Sequence, residues 1–184
     1  MTARPTLFTI GHGTRPMEEF LDILRPAGIR RLVDVRTAPG SRKHPQFGQD
    51  ALAASLAAQG IEYVWRKDLG GWRKPRAGSP HRALRSPGFR GYADYMDTPE
   101  FDPAVRWLME TSAASPTVFM CAETLWWRCH RRLLADALTA RGSQVIHLIG
   151  PGKQEEHRLH PVARVEGSRV VYDREAPEQL GLAT

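Results

Sequence analysis

Residues 117–148 read TVFMCAETLWWRCHRRLLADALTARGSQVIHL and indicate both the fold and the position of the chemistry. The run begins with a short apolar strand pattern, Thr117–Met120, and reactive side chains follow it at once. A helix pattern over Arg128–Arg141 ends at Gly142, and a second apolar strand pattern covers Gln144–Leu148. Two short apolar strands joined by a helix are typical of a parallel sheet that helices cover on both faces.

The same alternation of strand and helix patterns continues on both sides of this run. Further strands are predicted over residues 7–10, 31–35 and 61–65, and helices over residues 14–26, 49–59, 91–96 and 98–111. Near the end of the chain, Glu166-Gly167-Ser168 separates two more strand patterns, which predicts a β-hairpin. We therefore predict one α/β domain spanning residues 1–184, with three layers, a mainly parallel sheet flanked by helices, and a C-terminal hairpin.

The composition excludes several classes of protein. Of the 184 residues, 41% are hydrophobic and 25% are charged, which is typical of a globular domain. No apolar run approaches the roughly 20 residues that cross a bilayer, so no membrane partner is expected. Two cysteines are too few for a disulfide-rich secreted protein, and we expect a cytoplasmic protein with reduced thiols. The sequence does not indicate an oligomeric state.

The excess positive charge is concentrated in one segment. The net charge of the chain is +6, and the segment Arg66–Arg90 contains eight basic residues against the single acid Asp68. Aromatic side chains, Trp72 and Tyr92 among them, flank the basic ones, a combination that suits phosphate contacts beside base stacking. The predicted partner is therefore nucleic acid or a nucleotide. A plain solvated loop is the alternative, since that is the usual fate of charge runs.

Polar side chains follow several of the predicted strands at the point where each strand ends. His12 follows the first strand, Asp34 and Arg36 close the second, and Cys121 and Glu123 end the fourth. Ligands of open parallel sheets bind beyond the carboxyl ends of the strands, so we expect these side chains to converge on one rim. For Asp34 a structural ion pair, with Arg36 or with an arginine of the helix that contains Cys129, is an equal alternative, because an unpaired buried carboxylate is costly.

Cys129 and His130 are predicted in the first turn of the helix over Arg128–Arg141. There His130 would point back towards Cys121, while the helix N-terminus and neighbouring arginines would favour the thiolate of Cys129. A thiolate beside an imidazole suits nucleophilic catalysis, with Glu123 as acid, base or orienting group. The alternative is that the cysteines are small buried hydrophobes and His130 is a packed histidine. The predicted catalytic residues are His12, Asp34, Cys121, Glu123, Cys129 and His130.

A zinc site is a second interpretation of the same cluster. Cys121, Cys129 and His130, with a nearby His12 or His147, include enough zinc donors. The seven residues between the cysteines, and the adjacent Cys-His pair, match no common zinc spacing, so we predict neither a metal nor a cofactor. Four other histidines fall in polar loops and are predicted at the surface: His44, His81, His157 and His160.

Several short motifs occur in order along the chain: TIGH at 9–12, LVDVR at 32–36, PGSR at 39–42, LGG at 69–71, FRGYADYM at 89–96, CAE at 121–123, CHR at 129–131 and HLI at 147–149. In this order they closely resemble the domain-of-unknown-function 488 family, over nearly the whole chain. The resemblance implies a compact bacterial or archaeal α/β protein, and some members carry the label "DNA repair protein". It implies no reaction. Gly13 departs from the family pattern, which often has Ser there.

The family motifs correspond in this sequence to His12, Asp34, Arg36, Ser41, Arg42, Gly70, Gly71, Tyr92, Cys121, Glu123, Cys129, His130, Arg131 and His147. We therefore favour an enzyme, or an enzyme-derived domain, that acts on a nucleotide or nucleic acid through the Cys, Glu and His side chains beside the basic loop. The alternatives are a non-catalytic nucleic-acid-binding module and a thiol-dependent transferase acting on a small anion. The predicted substrate-binding residues are Arg36, Ser41, Arg42, Gly70, Gly71, Trp72, Arg73, Tyr92 and Arg131.

Overall fold

Six strands form one sheet in the computed structural model of the protein, which describes residues 4–175. In chain order they are β1 (Thr6–Gly11), β2 (Arg31–Asp34), β3 (Glu62–Trp65), β4 (Thr117–Cys121), β5 (Gln144–Gly150) and β6 (Lys153–Glu156). Their spatial order is β3-β2-β4-β1-β5-β6, with β1 to β5 parallel and β6 antiparallel to β5. The predicted mainly parallel sheet is confirmed. Strand β6 was not predicted, because all of its residues are polar and exposed.

Helices cover both faces of this sheet. They are α1 (Met17–Leu24), α2 (Gln49–Ala57), α3 (Pro87–Met96), α4 (Phe101–Ala114) and α5 (Arg131–Ala140). Helices α1 and α2 share one core, which contains Phe20 and Leu52, and helices α3, α4 and α5 share the other, which contains Phe101 and Leu134. No helix within residues 4–175 is both long enough and apolar enough to cross a membrane.

The apolar strand patterns follow from the presence of these two cores. Successive side chains of a strand point to opposite faces of the sheet. In β2, Leu32 packs in the core of α1 and α2, whereas Val33 packs in the core of α3, α4 and α5. In β4, Met120 and Phe119 are divided in the same way. All four side chains are fully buried, as expected for interior strands with helices on both faces.

The loops that follow β1 and β4 leave the sheet towards opposite faces. Strand β1 leads to α1 and strand β4 leads to α5, although the two strands are neighbours. Before the loops separate, the backbone N–H groups of His12 and Gly13 donate to the carbonyl oxygens of Cys121 (3.0 Å) and Ala122 (2.9 Å). The divergence opens a crevice at the carboxyl end of the sheet, which is where such sheets bind ligands.

The predicted C-terminal hairpin is present. Its strands are β7 (Ala163–Glu166) and β8 (Arg169–Tyr172), paired antiparallel. Gly167 lies in the turn with a φ of 62°, a left-handed conformation that glycine adopts without strain. Val170 and Tyr172 are buried in the core of α3, α4 and α5, so the hairpin completes that side of the domain.

A buried carboxylate ties the hairpin to helix α5. The side chain of Asp136 has no exposed surface. Its Oδ2 accepts a hydrogen bond from the hydroxyl of Tyr172 (2.8 Å), and its Oδ1 accepts one from the backbone N–H of His160 (3.0 Å). The same Oδ1 lies 2.8 Å from Nε2 of His157. Both oxygens are therefore satisfied within the protein, as a buried carboxylate requires.

Helix α5 begins three residues later than the sequence predicted, at Arg131 instead of Arg128. The residues Trp126–Arg128 form a separate 3-10 turn. Cys129 then adopts an extended backbone, with φ −120° and ψ 152°, and His130 is the residue that precedes the first helical turn. The prediction that Cys129 and His130 lie in the first turn is therefore wrong.

Replacing Tyr172 by Phe tests the buried carboxylate. The change removes the donor to Oδ2 of Asp136 and leaves a buried oxygen unsatisfied, which we expect to lower the free energy of unfolding by about 1–3 kcal/mol. Urea denaturation at neutral pH measures this. The control is Tyr95→Phe, whose hydroxyl donates to the carbonyl of Asp68 near the surface. Equal stability losses in the two variants would contradict a special role for the Tyr172 contact.

Candidate active site at the carboxyl end of the sheet

A cavity of about 590 Å³ lies in the crevice beyond the carboxyl ends of the strands. The loops after β1, β2, β3 and β4 all contribute to its lining. Nine of the residues predicted from the sequence line it: His12, Arg36, Ser41, Arg42, Gly71, Trp72, Cys121, Glu123 and His130. Six do not line it: Asp34, Gly70, Arg73, Tyr92, Cys129 and Arg131.

Asp34 holds Arg36 in place and does not face the cavity. The guanidinium of Arg36 donates to both carboxylate oxygens of Asp34, with Nε–Oδ1 at 2.9 Å and Nη2–Oδ2 at 2.6 Å. The hydroxyl of Tyr63 donates to the same Oδ2 at 2.6 Å. Burial would lower the pKa of Arg36, but the hydrogen bonds and charge of Asp34 outweigh it and raise the pKa. The ion pair is structural, and it leaves Nη1 of Arg36 directed towards His12 at 3.4 Å.

His12 is a neutral histidine with a defined proton. It is 3% exposed and stacks on Phe47 with 4.3 Å between ring centroids. Its Nδ1 lies 2.8 Å from the carbonyl oxygen of Gly13. Because a carbonyl only accepts, Nδ1 carries the proton, and Nε2 is left as an acceptor towards Arg36. Burial lowers the pKa of His12 from 6.5 to about 4.

Two thiols and one imidazole meet at the inner wall of the cavity. Nδ1 of His130 lies 3.6 Å from Sγ of Cys129 and 3.9 Å from Sγ of Cys121. Both cysteines are free. Cys121 and His130 line the cavity, whereas Cys129, 5% exposed, lies behind them.

The accessible thiol and the more acidic thiol are different residues. Contact with Cys129, together with burial, raises the pKa of Cys121 above its ordinary value. Burial would also raise the pKa of Cys129, but contact with Cys121 and the neighbouring His130 and Arg131 outweigh it and lower the pKa. The thiol that faces the cavity is therefore the one that holds its proton more firmly.

Close packing fixes the imidazole of His130. A Cβ on Gly71 would lie 2.4 Å from Nδ1 of His130, so only glycine allows the loop after β3 to approach the ring this closely. The ring of Tyr92 lies on another side, 5.0 Å away between centroids. Tyr92 is fully buried and its hydroxyl donates to the carbonyl of Leu69 at 3.1 Å. The prediction that Tyr92 offers a face for base stacking is therefore wrong, because no part of it reaches the cavity.

Arg131 supports the loop after β4 from beneath. It is 1% exposed, and its Nη1 donates to Oγ1 of Thr9 at 2.8 Å. Its Nη2 donates to the carbonyl oxygens of Glu123 and Thr124. The guanidinium thus holds backbone in place, and the prediction that it contacts substrate is wrong on grounds of burial. The side chain of Glu123 itself is exposed and accepts a hydrogen bond from the backbone N–H of Leu125 at 3.0 Å.

Most of the charge in the segment Arg66–Arg90 lies away from the cavity. Arg73 stacks on Tyr95, with 3.6 Å from its guanidinium carbon to the ring centroid, and donates to the carbonyl of Gly70. Arg76 pairs with Asp94 and Asp97. Local partners therefore engage several of these cations. The exposed cations that do line the cavity, Arg42 and Lys43, belong to the loop after β2.

A family comparison supports the resemblance that the motifs along the chain indicate. The family model described as "Domain of unknown function DUF488" matches residues 16–138. The chain belongs to the DUF488 family. The matched part includes Arg36, Arg42, Cys121, Cys129 and His130. No curated protein and no solved structure matches the chain at a significant level.

Several lining residues of this DUF488 protein were not predicted from the sequence. Lys43 and Thr124 line the cavity, and so does His44, which was predicted as a plain surface residue. Their direct neighbours Arg42 and Glu123 were predicted, so adjacency to a predicted site residue was the available signal. The surface prediction is also wrong for His81 and His157, which are 0% and 6% exposed. Each lies close to a buried carboxylate that the sequence did not reveal.

Gly71→Ala tests the close packing on His130. The added methyl group would overlap the imidazole ring, and we expect a loss of about 1–3 kcal/mol in the free energy of unfolding together with a changed NMR signal of the His130 ring. Gly40→Ala is the matched control, because Gly40 also lines the cavity and has no atom within 4 Å of the added Cβ. Equal stability of the two variants would show that the ring is not held by this contact.

The lowered pKa of His12 makes part of the stability depend on pH. In the unfolded chain His12 takes up a proton near pH 6.5, but in the folded protein only near pH 4. Its contribution is therefore complete above about pH 6.5 and is lost as the pH falls towards 4. We expect the stability difference between the native protein and His12→Asn to shrink by up to about 2 kcal/mol between pH 7 and pH 5.

Urea denaturation at several pH values measures this difference. The asparagine amide can still donate to the carbonyl of Gly13, and the loss of the stacking on Phe47 lowers the stability by an amount that does not depend on pH. Tyr95→Phe, which removes no group that titrates in this range, is the control and should differ from the native protein by a constant amount. A constant difference for His12→Asn as well would contradict the lowered pKa.

Proposed function

We propose that this DUF488 protein is an enzyme that acts on a nucleotide, either free or at the end of a nucleic acid. One observation carries the proposal: an exposed indole and two unshielded cations line the same cavity as the thiol and imidazole at its inner wall. The indole is Trp72, and the cations are Arg42 and Lys43. The inner wall contains Cys121 and His130.

The cavity has the size and lining that a nucleotide needs. Small-molecule sites usually enclose about 300–1,000 Å³, and this one encloses about 590 Å³. Trp72 lies at the edge of the cavity and is 79% exposed, so a face of the indole is free to stack on a base. Such stacking contributes about 1–3 kcal/mol and tolerates every base. Base identity is therefore not selected by this contact alone.

Phosphate binding is assigned to the loop after β2. The side chains of Arg42 and Lys43 are exposed, and neither forms an ion pair among the residues that the structure describes. Deeper in the cavity, Arg36 presents Nη1 beside His12. Charge-assisted hydrogen bonds from such groups bind phosphate oxygens well. The segment Arg66–Arg90 is less suited to this role, since contacts with the protein itself engage several of its arginines.

The reacting groups belong to the inner wall. Cys121, Cys129 and His130 form one cluster there, and the exposed carboxylate of Glu123 lies in the same lining. In the proposed enzyme, Glu123 takes up or gives a proton at the substrate, and neutral His12 accepts a hydrogen bond through Nε2. Both thiols must stay reduced if they are to take part in the reaction, and a cytoplasmic location would keep them reduced.

Binding of nucleotides tests the proposal directly. We expect a fluorescent ATP analogue to bind the native protein with an affinity that falls about fivefold or more in Arg42→Ala and in Trp72→Ala, since each change removes about 1–3 kcal/mol. Fluorescence anisotropy at fixed salt measures the Kd. Arg85→Ala is the matched control, because Arg85 is an exposed arginine of the basic segment that does not line the cavity.

The competing functions predict different results in the same experiment. A nucleic-acid-binding module would bind oligonucleotides but not ATP, and Arg85→Ala would weaken its binding as much as Arg42→Ala. A transferase for a small anion would bind inorganic phosphate or sulfate, and Trp72→Ala would leave its Kd unchanged. Cys121→Ser separates binding from chemistry. The proposed enzyme should keep its affinity for the nucleotide and lose its turnover of the nucleotide substrate. Undiminished turnover would contradict a role for the inner wall.

A further inference from the structure

Three metal-donor atoms converge at the inner wall of the cavity. Sγ of Cys121, Sγ of Cys129 and Nδ1 of His130 all lie within 4.8 Å of one another. The two sulfur atoms approach the same nitrogen, at 3.9 Å and 3.6 Å. The loop after β4 and the 3-10 turn before α5 bring Cys129 and His130 back beside Cys121.

The two sulfur–nitrogen distances match the edges of a zinc tetrahedron. Zinc binds thiolate sulfur at about 2.3 Å and imidazole nitrogen at about 2.0–2.1 Å, so tetrahedral angles place sulfur and nitrogen about 3.6 Å apart. The two observed distances, 3.6 Å and 3.9 Å, are close to that value. A zinc ion would therefore fit between the three donors with only small movements of the side chains.

The hydrogen bonding within the protein does not satisfy this cluster. Nδ1 of His130 faces two sulfur atoms but carries at most one proton. Nε2 of the same ring is buried and has no hydrogen-bond partner among the described residues. His130 is only 9% exposed, so water does not readily compensate. A bound cation would satisfy both sulfur atoms and Nδ1 at once, whereas Nε2 would still lack a partner among the described residues.

The chemistry of the donors determines which metal fits the site. Their positions determine which coordination position stays open. Thiolate and imidazole suit Zn²⁺, whereas Mg²⁺ and Ca²⁺ prefer oxygen. Cys121 and His130 line the cavity and Cys129 lies behind them, so the fourth position faces the cavity. His147, one of the fourth ligands considered from the sequence, is held elsewhere by stacking on Trp126. Three protein ligands with an open position are characteristic of catalytic zinc sites.

We propose that Cys121, Cys129 and His130 bind one Zn²⁺ ion whose fourth position is open to the cavity. The ion would act as a Lewis acid on a substrate atom or a water molecule placed there. The proposal replaces the sequence-based expectation of no metal, which depended on spacing along the chain. It depends on the proposed function only for the identity of the substrate, because the donors are present whatever the cavity binds.

Zinc titration of the reduced, metal-stripped native protein against a chromophoric chelator tests the site. We expect one Zn²⁺ per chain, and an affinity at least about 100-fold lower in Cys129→Ser and in His130→Asn, because removing a ligand should cost more than removing one of its supporting partners. Co²⁺ in place of Zn²⁺ should give the visible absorption of a tetrahedral thiolate site. His160→Asn, a histidine outside the cluster, is the control and should bind zinc like the native protein.

A second measurement needs no substitution and so does not depend on the variants folding. Stoichiometric Zn²⁺ should slow the alkylation of both cysteines by iodoacetamide in the native protein. No zinc binding at micromolar metal, unprotected thiols, or a Cys121–Cys129 disulfide forming in the presence of zinc would each overturn the proposal. Arg42→Ala should bind zinc normally while losing ATP affinity, so failure of the zinc site and failure of the proposed function are distinguishable.

Discussion

The site depends on how closely the loops after β1 and β4 approach each other. A Cβ on Gly11 would lie 1.9 Å from the carbonyl oxygen of Glu123 and 2.7 Å from Nη2 of Arg131, so no other residue fits there without moving the backbone. The contact continues the pairing of two parallel strands beyond their ends, and the guanidinium of Arg131 neutralises the carbonyl dipoles that it brings together. The crevice opens only beyond this point. The base of the crevice is therefore set by the same backbone contacts that join β1 to β4.

A chain of buried polar groups extends from this contact through the domain. Arg131 donates to Thr9, Thr9 lies 3.3 Å from a ring nitrogen of His147, and the other ring nitrogen lies 2.9 Å from His157. His157 in turn contacts Asp136, which accepts from the hairpin. Burial lowers the pKa of His147, so the central member of the chain is neutral at physiological pH. Strand β5 and the hairpin thereby brace the loop that carries Glu123, although neither of them lines the cavity.

The sequence predicted the sheet and the rim of the site because both follow from local patterns. Runs such as Val118–Met120 are apolar on both faces, which only an interior parallel strand requires, and polar residues that follow such strands must lie at the carboxyl edge. These patterns do not predict how deeply an individual side chain is buried or which residues it contacts. Tyr92, Arg131 and Arg73 have the chemistry of ligand contacts, but tertiary packing buries the first two and stacks the third on Tyr95. Their partners lie far away in the sequence, and a single sequence does not encode such pairings in any readable form.

The wholly polar strand β6 has a consequence for the protein in a crowded solution. Every residue from Lys153 to Glu156 is exposed, and this strand is the outer edge of the sheet beside β5. An unpaired edge is a template on which a second sheet can assemble, and charged side chains are the usual means of preventing it. Here a lysine and two glutamates project from that edge. A further strand that paired with this edge would take these charged side chains partly out of water, so the edge resists growth of the sheet from one chain into the next.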